Sequence, residues 1–170
     1  MKKIIVVLLV LASLIFILTW RGKNMREIRT EVIIAAPISK VWTIITDFES
    51  WKDWSPIINQ VSGKAFLGSK LNVTMRNEEG KDGPRYMPVI TIFEEPKSFR
   101  WRAKMISEFF FTNDKVIELE VDGTGTRLVH KELFSGIMVP LCWGQLNQGV
   151  PKMLNSMNEA LKLKAEQTSN

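Results

Sequence analysis

Hydrophobic and polar positions follow two rhythms along this chain, and an unbroken apolar run comes before either begins. From Ile4 to Trp20 the sequence reads IIVVLLVLASLIFILTW without a charge, and at roughly 1.5 Å per residue a helix of that length spans about 25 Å. Two lysines followed by an apolar run also describe a cleaved leader, but cleavage wants small residues where bulky Trp20 stands. No cysteine follows the run, which excludes a lipoprotein. The expectation is a retained single-pass anchor from Ile4 to Trp20, with Trp20 in the interfacial belt. Lys2 and Lys3 precede it, while Arg21, Lys23, Arg26 and Arg29 follow, and the positive-inside tendency favours a cytoplasmic domain. The division expected is residues 1–24 as anchor and basic connector and 25–170 as one folded domain.

Past the connector the period changes. EIRTEVIIAAP is rich in β-branched residues and stops at Pro37, which predicts a strand. Ile38, Val41, Trp42, Ile45 and Phe48 then recur at helical spacing. Pro56 disfavours helix at Ser55, so SWKDWSP predicts a short second helix and a turn. Strand signals follow in series at 57–66, 70–76, 87–93, 98–105, 109–121 and 126–134, separated by NEEGKDGP, EEPKS and DGTGT, all built from turn residues. Phe99, Trp101, Ala103 and Met105 share one face of SFRWRAKM, and Ile117, Leu119 and Val121 share one face of VIELEV. The arginines and glutamates opposite them predict a solvated face paired across the ladder. After Pro140, Trp143, Leu146, Val150, Met153, Leu154, Met157 and Leu161 recur at helical spacing. Pro151 inside that pattern predicts a kink or a restart.

Composition narrows the function. Six tryptophans and 45% hydrophobic residues provide enough apolar surface for a core and for the wall of a cavity. The net charge of +5 falls to +3 without Lys2 and Lys3, and no basic run stands beside aromatics, so nucleic acid is not an expected partner. The lone Cys142 lies in the apolar IMVPLCW and reads as a small buried thiol.

The single histidine lies in LVHKELFSG. With Arg127 and Lys131 in water, a period of two places Leu128, His130, Glu132 and Phe134 together on the apolar face. Unpaired burial there would cost a few kcal/mol for each polar group. Three uses are open: satisfaction by neighbours, orientation of the polar end of a bound apolar molecule, or general acid/base chemistry by His130 and Glu132. No nucleophile or oxyanion loop accompanies them. One histidine and one glutamate are too few ligands for a metal, and no cofactor is expected. Trp51 and Trp54, three apart, either plug one end of the fold or gate a cavity, and the polar NEEGKDGPR loop can form part of an entrance.

The stretch EVIIAAPISKVWTIITDFESWKDWSP, together with the H-x-E-x-F-x-G spacing of GTRLVHKELFSGIMVP and a closing amphipathic helix, resembles the START-like helix-grip (SRPBCC) superfamily, in particular its polyketide cyclase/dehydrase-like branch, over about residues 28–166. The resemblance implies an α+β fold: a seven-stranded antiparallel sheet wrapped around a long carboxy-terminal helix, two short helices near the amino-terminus, and an apolar cavity between them. It implies a cavity lined by Trp42, Trp54, Phe99, Trp101, Met105, Leu119, His130, Glu132, Phe134, Trp143, Leu146, Val150 and Leu154. It also implies an apolar small molecule or lipid as partner, bound or carried at the membrane. A cyclase or dehydratase using His130 and Glu132 is one alternative, and a protein-interaction module akin to chaperone-activating domains is another. No protein partner is identified.

Overall fold

The structure, a computed structural model, describes residues 2–22 and 25–167, with side chains described for 3–17 and 25–167. Helix α1 (Lys2–Gly22) forms over the apolar run. Its large apolar side chains from Ile4 to Leu11 are all at least half exposed, and it touches α4 (Val139–Glu166). Among the described residues no helix is long and apolar enough to cross a membrane. The expected interfacial side chain of Trp20 and the connector residues Lys23 and Asn24 lie outside the described residues, as do 168–170.

The domain opens with β1 (Arg26–Ile34) and closes with α4. Among the described residues there are eight strands in two antiparallel sheets, not seven in one. The larger has the order β1, β8 (Gly125–Ser135), β7 (Phe111–Asp122), β6 (Ser98–Met105), β5 (Val89–Glu94), and the smaller the order β2 (Ile58–Ser62), β3 (Asn72–Arg76), β4 (Asp82–Tyr86). β4 occupies part of the expected NEEGKDGPR loop. It is an edge strand, where Pro84 withholds no ladder bond from a neighbour. Pro88, which has no N–H to donate, lies between β4 and β5. There the segment around Lys70 reaches across instead: Leu71 N–H donates to the Pro88 carbonyl and Ile90 N–H to the Ser69 carbonyl, each at 2.9 Å. The break between the two sheets thus falls at Pro88.

Between β1 and β2 the chain makes three helical pieces where two were expected: α2 (Ile38–Thr46), a 3-10 turn (Phe48–Ser50) and α3 (Trp51–Trp54). They place Val41, Trp42, Ile45, Phe48 and Trp51 in a core with Phe99, Trp101, Ile117, Leu119 and Leu128 from the larger sheet and with Met157 and Leu161 from α4. Trp51 sits at 5.5 to 5.7 Å from the rings of Phe48, Trp54 and Trp101, and donates its indole N–H to the Ile45 carbonyl. It is a plug. A smaller apolar cluster of Ile28, Phe134, Val139 and Leu154, with Phe111, Trp143, Leu146 and Val150 against it, occupies the opposite end of the sheet.

Helix α4 runs from Val139 to Glu166 without restarting at Pro151. It begins before Pro140, which occupies its first turn, where a missing N–H costs no helical bond. Cys142 is half-buried, not buried, and its thiol lies 3.2 Å from the Met138 carbonyl. Val121, expected inside, is exposed where β7 ends, one pair before the turn into β8. The outer face is paired across the ladder, but with partners other than the β6 arginines expected for Glu118 and Glu120: Lys131 with Glu118 at 2.6 Å and Arg127 with Glu120 and Glu31 at 3.0 and 2.9 Å. Arg100 and Arg102 converge instead on Asp114. Burial alone would raise the Asp114 pKa, but the two guanidiniums outweigh it and hold the carboxyl below its ordinary range.

Candidate functional site: an apolar chamber with a polar row

Between the two clusters lies a chamber of about 630 Å³. The larger sheet forms one wall, through Ala103, Lys104 and Met105 of β6, Phe111, Asn113 and Lys115 of β7, and Glu132 and Phe134 of β8. Sheet β2–β4 and the residues before it supply Ile57, Ile58, Met75, Pro84, Arg85 and Tyr86, and α4 supplies Leu146, Val150, Met153 and Leu154. Exposed Pro84, Arg85, Lys104 and Met105 mark where it reaches the surface.

One row of buried polar side chains crosses the sheet beside it. Register pairs Lys115 with Glu132 and Ile117 with His130 across β7 and β8, and Thr30 with His130 across β1 and β8. Lys115 Nζ lies 2.6 Å from Glu132 Oε1 and 2.9 Å from His130 Nε2. Asn113 donates to the other carboxylate oxygen of Glu132. On the far side His130 Nδ1 is 2.8 Å from Asn158 Oδ1 on α4, and Asn158 Nδ2 donates to Thr30 Oγ1 at 2.9 Å. Lys115, His130 and Asn158 are at most 3% exposed. The row runs Asn113, Glu132, Lys115, His130, Asn158, Thr30.

The chemistry of this row follows from its donors. An ammonium only donates, so His130 Nε2 must accept from Lys115 and the ring proton resides on Nδ1, shared with Asn158. Burial first, and the adjacent Lys115 ammonium second, push the His130 pKa well below its ordinary value. The imidazole is therefore a neutral prop that aims Lys115. Burial, and then the Glu132 charge, raise the Tyr86 phenol far above its ordinary range, so that hydroxyl stays protonated as a donor. Lys115 has three N–H groups, and two are used within the row.

Of the residues expected to line the cavity, Met105, Glu132, Phe134, Leu146, Val150 and Leu154 do so. Trp42, Phe99, Trp101 and Leu119 lie in the larger core, where α2 and α3 fill the space, and Trp54 packs half-buried against them. Trp143 packs on Phe134 at 6.4 Å, with the Arg26 guanidinium 4.8 Å over its ring. His130 stands behind Lys115, off the chamber wall. Among the described residues no group of acidic, histidine and cysteine side chains is placed to hold a metal.

Lys115, Asn113, Tyr86 and Asn158 were not foreseen. Signals for three existed: the phase that turns Ile117 and Leu119 inward also turns Lys115 and Asn113 inward. Asn158, four residues after Leu154, was a polar residue on the inward helix stripe.

A family model described as polyketide cyclase / dehydrase and lipid transport matches residues 25–166. Among curated protein sequences none matches this chain. Among solved structures, the di-domain ARO/CYC StfQ from the steffimycin biosynthetic pathway superposes with a TM-score of 0.68 at 8% identity, over 84% of this chain and 51% of that one. The chain thus spans about half the length of that di-domain protein. The Zhui aromatase/cyclase from Streptomyces sp. R1128 gives a TM-score of 0.66 at 17% identity, covering 84% of this chain and 94% of that one. Ara h 8.0201 gives 0.65 at 16% identity, covering 84% and 98%. These likenesses are of fold.

Proposed function

The chain belongs to the polyketide cyclase / dehydrase and lipid transport family, and from that premise we propose that its chamber binds or carries a lipid-like or other apolar small molecule, with the molecule's polar end at Lys115. The observation that carries this reading is a chamber of about 630 Å³, within the size range of small-molecule sites, apolar except for one fixed polar station. Because Glu132 neutralises Lys115 at 2.6 Å, the station favours a neutral hydrogen-bonding head, a carbonyl or hydroxyl, over a carboxylate or an ammonium. The spare N–H of Lys115 and the Tyr86 hydroxyl are its donors. Carriage is favoured over cyclase or dehydratase chemistry because the His130 lone pair that a general base needs is already bound to Lys115.

Residues 25–170 form the ligand-binding domain in this proposal, and residues 1–24 hold it at a bilayer. A helix whose described apolar side chains, from Ile4 to Ile17, are exposed is suited to lipid. The basic residues that follow it, under the positive-inside tendency, favour the cytoplasmic side for the domain. A carrier held there exchanges apolar cargo without a long passage through water.

Titration of residues 25–170 with a polarity-sensitive apolar dye tests the chamber. Saturable binding is expected, and Leu146→Arg, which sets a charge in the chamber wall, is expected to weaken it at least tenfold. A folded domain that takes up neither dye nor lipid would favour an interaction module and overturn the proposal.

A further inference from the structure

We propose that the end of the domain bearing Ile106, Phe109 and Leu141 rests on the lipid bilayer and opens the chamber toward it. The proposal deepens the membrane reading of α1 and rests on it.

Strand register puts several chain segments at one end. Arg26 pairs with Phe134, Met105 with Phe111 and Thr112 with Ser135. The start of β1, the end of β6, the start of β7 and the end of β8 therefore coincide, and α4 begins beside them at Val139. The chamber lies under this same end, since Met105, Phe111, Phe134 and Leu146 line it.

At this end three large apolar side chains point to the outside. Ile106 is 82% exposed, Phe109 61% and Leu141 63%. Ile106 also has φ +65°, a conformation that β-branched residues avoid. The loop that holds it is built firmly: Ser107 N–H donates to the Met105 carbonyl, Phe110 N–H to the Ser107 carbonyl, and Ile137 N–H, just before α4, to the Phe109 carbonyl. A fixed loop that displays two large apolar side chains to solvent has the form of a wedge for an apolar medium.

The tether decides which medium. Helix α1 ends at Gly22 and the described domain resumes at Met25. Three residue steps reach about 10 Å at most. With α1 in the bilayer, the start of β1 must lie within that distance of the lipid, and the loop 106–109 belongs to the same end. Charge agrees with this placement. Arg26 and Lys104 lie at this end with Glu27 and Glu108, and Arg21 and Lys23 precede β1 in the sequence, a balance suited to anionic headgroups. The β6 edge of the mouth, Lys104 with Met105, then faces the headgroups, and cargo passes between chamber and membrane beside Met105.

Environment-sensitive labels test this on the full chain in vesicles of phosphatidylcholine and phosphatidylglycerol. In a Cys142→Ser background, single labels are attached through Val10→Cys, Ile106→Cys, Phe109→Cys and Val121→Cys. All four positions are exposed, so the fold should stand. Val121 is at the other end of β7. Blue-shifted emission with a several-fold gain is expected at positions 10, 106 and 109, and an aqueous signal at 121. The proposal fails alone if the label at 10 reads lipid while those at 106 and 109 read water. If the label at 10 also reads water, the anchor itself fails and takes this proposal with it. An apolar signal at 106 and 109 without vesicles would mean that protein covers the loop, and would overturn the bilayer as occupant.

Discussion

His130 accepts from Lys115 through Nε2 and donates to Asn158 through Nδ1, so a second ring proton would break the first bond and set two cations side by side. Glu132, paired with Lys115 at 2.6 Å, is the one buried anion facing them. The folded pKa of His130 is depressed, whereas the unfolded chain titrates near 6.5. Above about pH 6.5 both states hold a neutral ring and its contribution is complete. Below that, the unfolded state gains the proton first, and stability falls by up to about 1.4 kcal/mol for each pH unit until the folded pKa is reached. Urea unfolding of the domain between pH 7.5 and 5.5 should show this slope, and His130→Gln, which keeps an acceptor but cannot titrate, should flatten it. An unchanged slope would mean that His130 titrates normally in the fold. At this scale alternation reveals that His130 and Glu132 face inward. The identity of their partner is hidden, because a lysine is ordinarily assigned to solvent and its counterion belongs to a different strand. Only register across β7 and β8 joins them.

At the scale of elements, the last residue of the H-x-E-x-F-x-G spacing has a backbone explanation. Gly136 has φ +114°, and a Cβ built there would lie 2.5 Å from the Phe110 carbonyl oxygen and 2.7 Å from its carbon. Glycine is what allows β8 to turn into α4 while packing against the loop after β6. Gly136→Ala should cost on the order of 1 to 3 kcal/mol and move the start of α4. A thermal melt would show the loss, and hydrogen exchange would place it at 105–112 and 136–142. A variant as stable as the parent would mean that this junction is looser than drawn. Most helices and strands were legible from period, because a one-sided burial pattern is local. β4 was not, since its DGPRY sequence is that of a turn and only an edge position beside β3 makes it a strand. Nor was the continuity of α4 through Pro151, where the cost of one lost helical bond has to be set against burial of Leu154, Met157 and Leu161 on the following turns.

The whole molecule divides its apolar residues between a filled end and a hollow one, and that division was least visible in the chain. An inward Trp101 and an inward Ala103 differ by two positions on one strand face, yet Trp101 is fully buried against Trp51 and Phe99 while Ala103 lines the chamber. Periodicity says which side a residue faces; the reach of α2 and α3 over the sheet says whether anything meets it there. Stability and binding should therefore separate along β6. Trp101→Ala removes packing from the filled end and should cost about 3 to 5 kcal/mol, while the molecules that remain folded keep saturable uptake of an apolar dye, because the chamber is walled by other residues. Ala103→Phe places a ring in space that is already empty, so the overpacking penalty of about 1 to 3 kcal/mol seen in filled cores should be largely absent. Its melting temperature should stay near that of the parent while dye binding is lost. Paired thermal melts and binding isotherms on the two variants distinguish this arrangement from a uniform core, in which Ala103→Phe would destabilise the domain and uptake would fall only as the fold does.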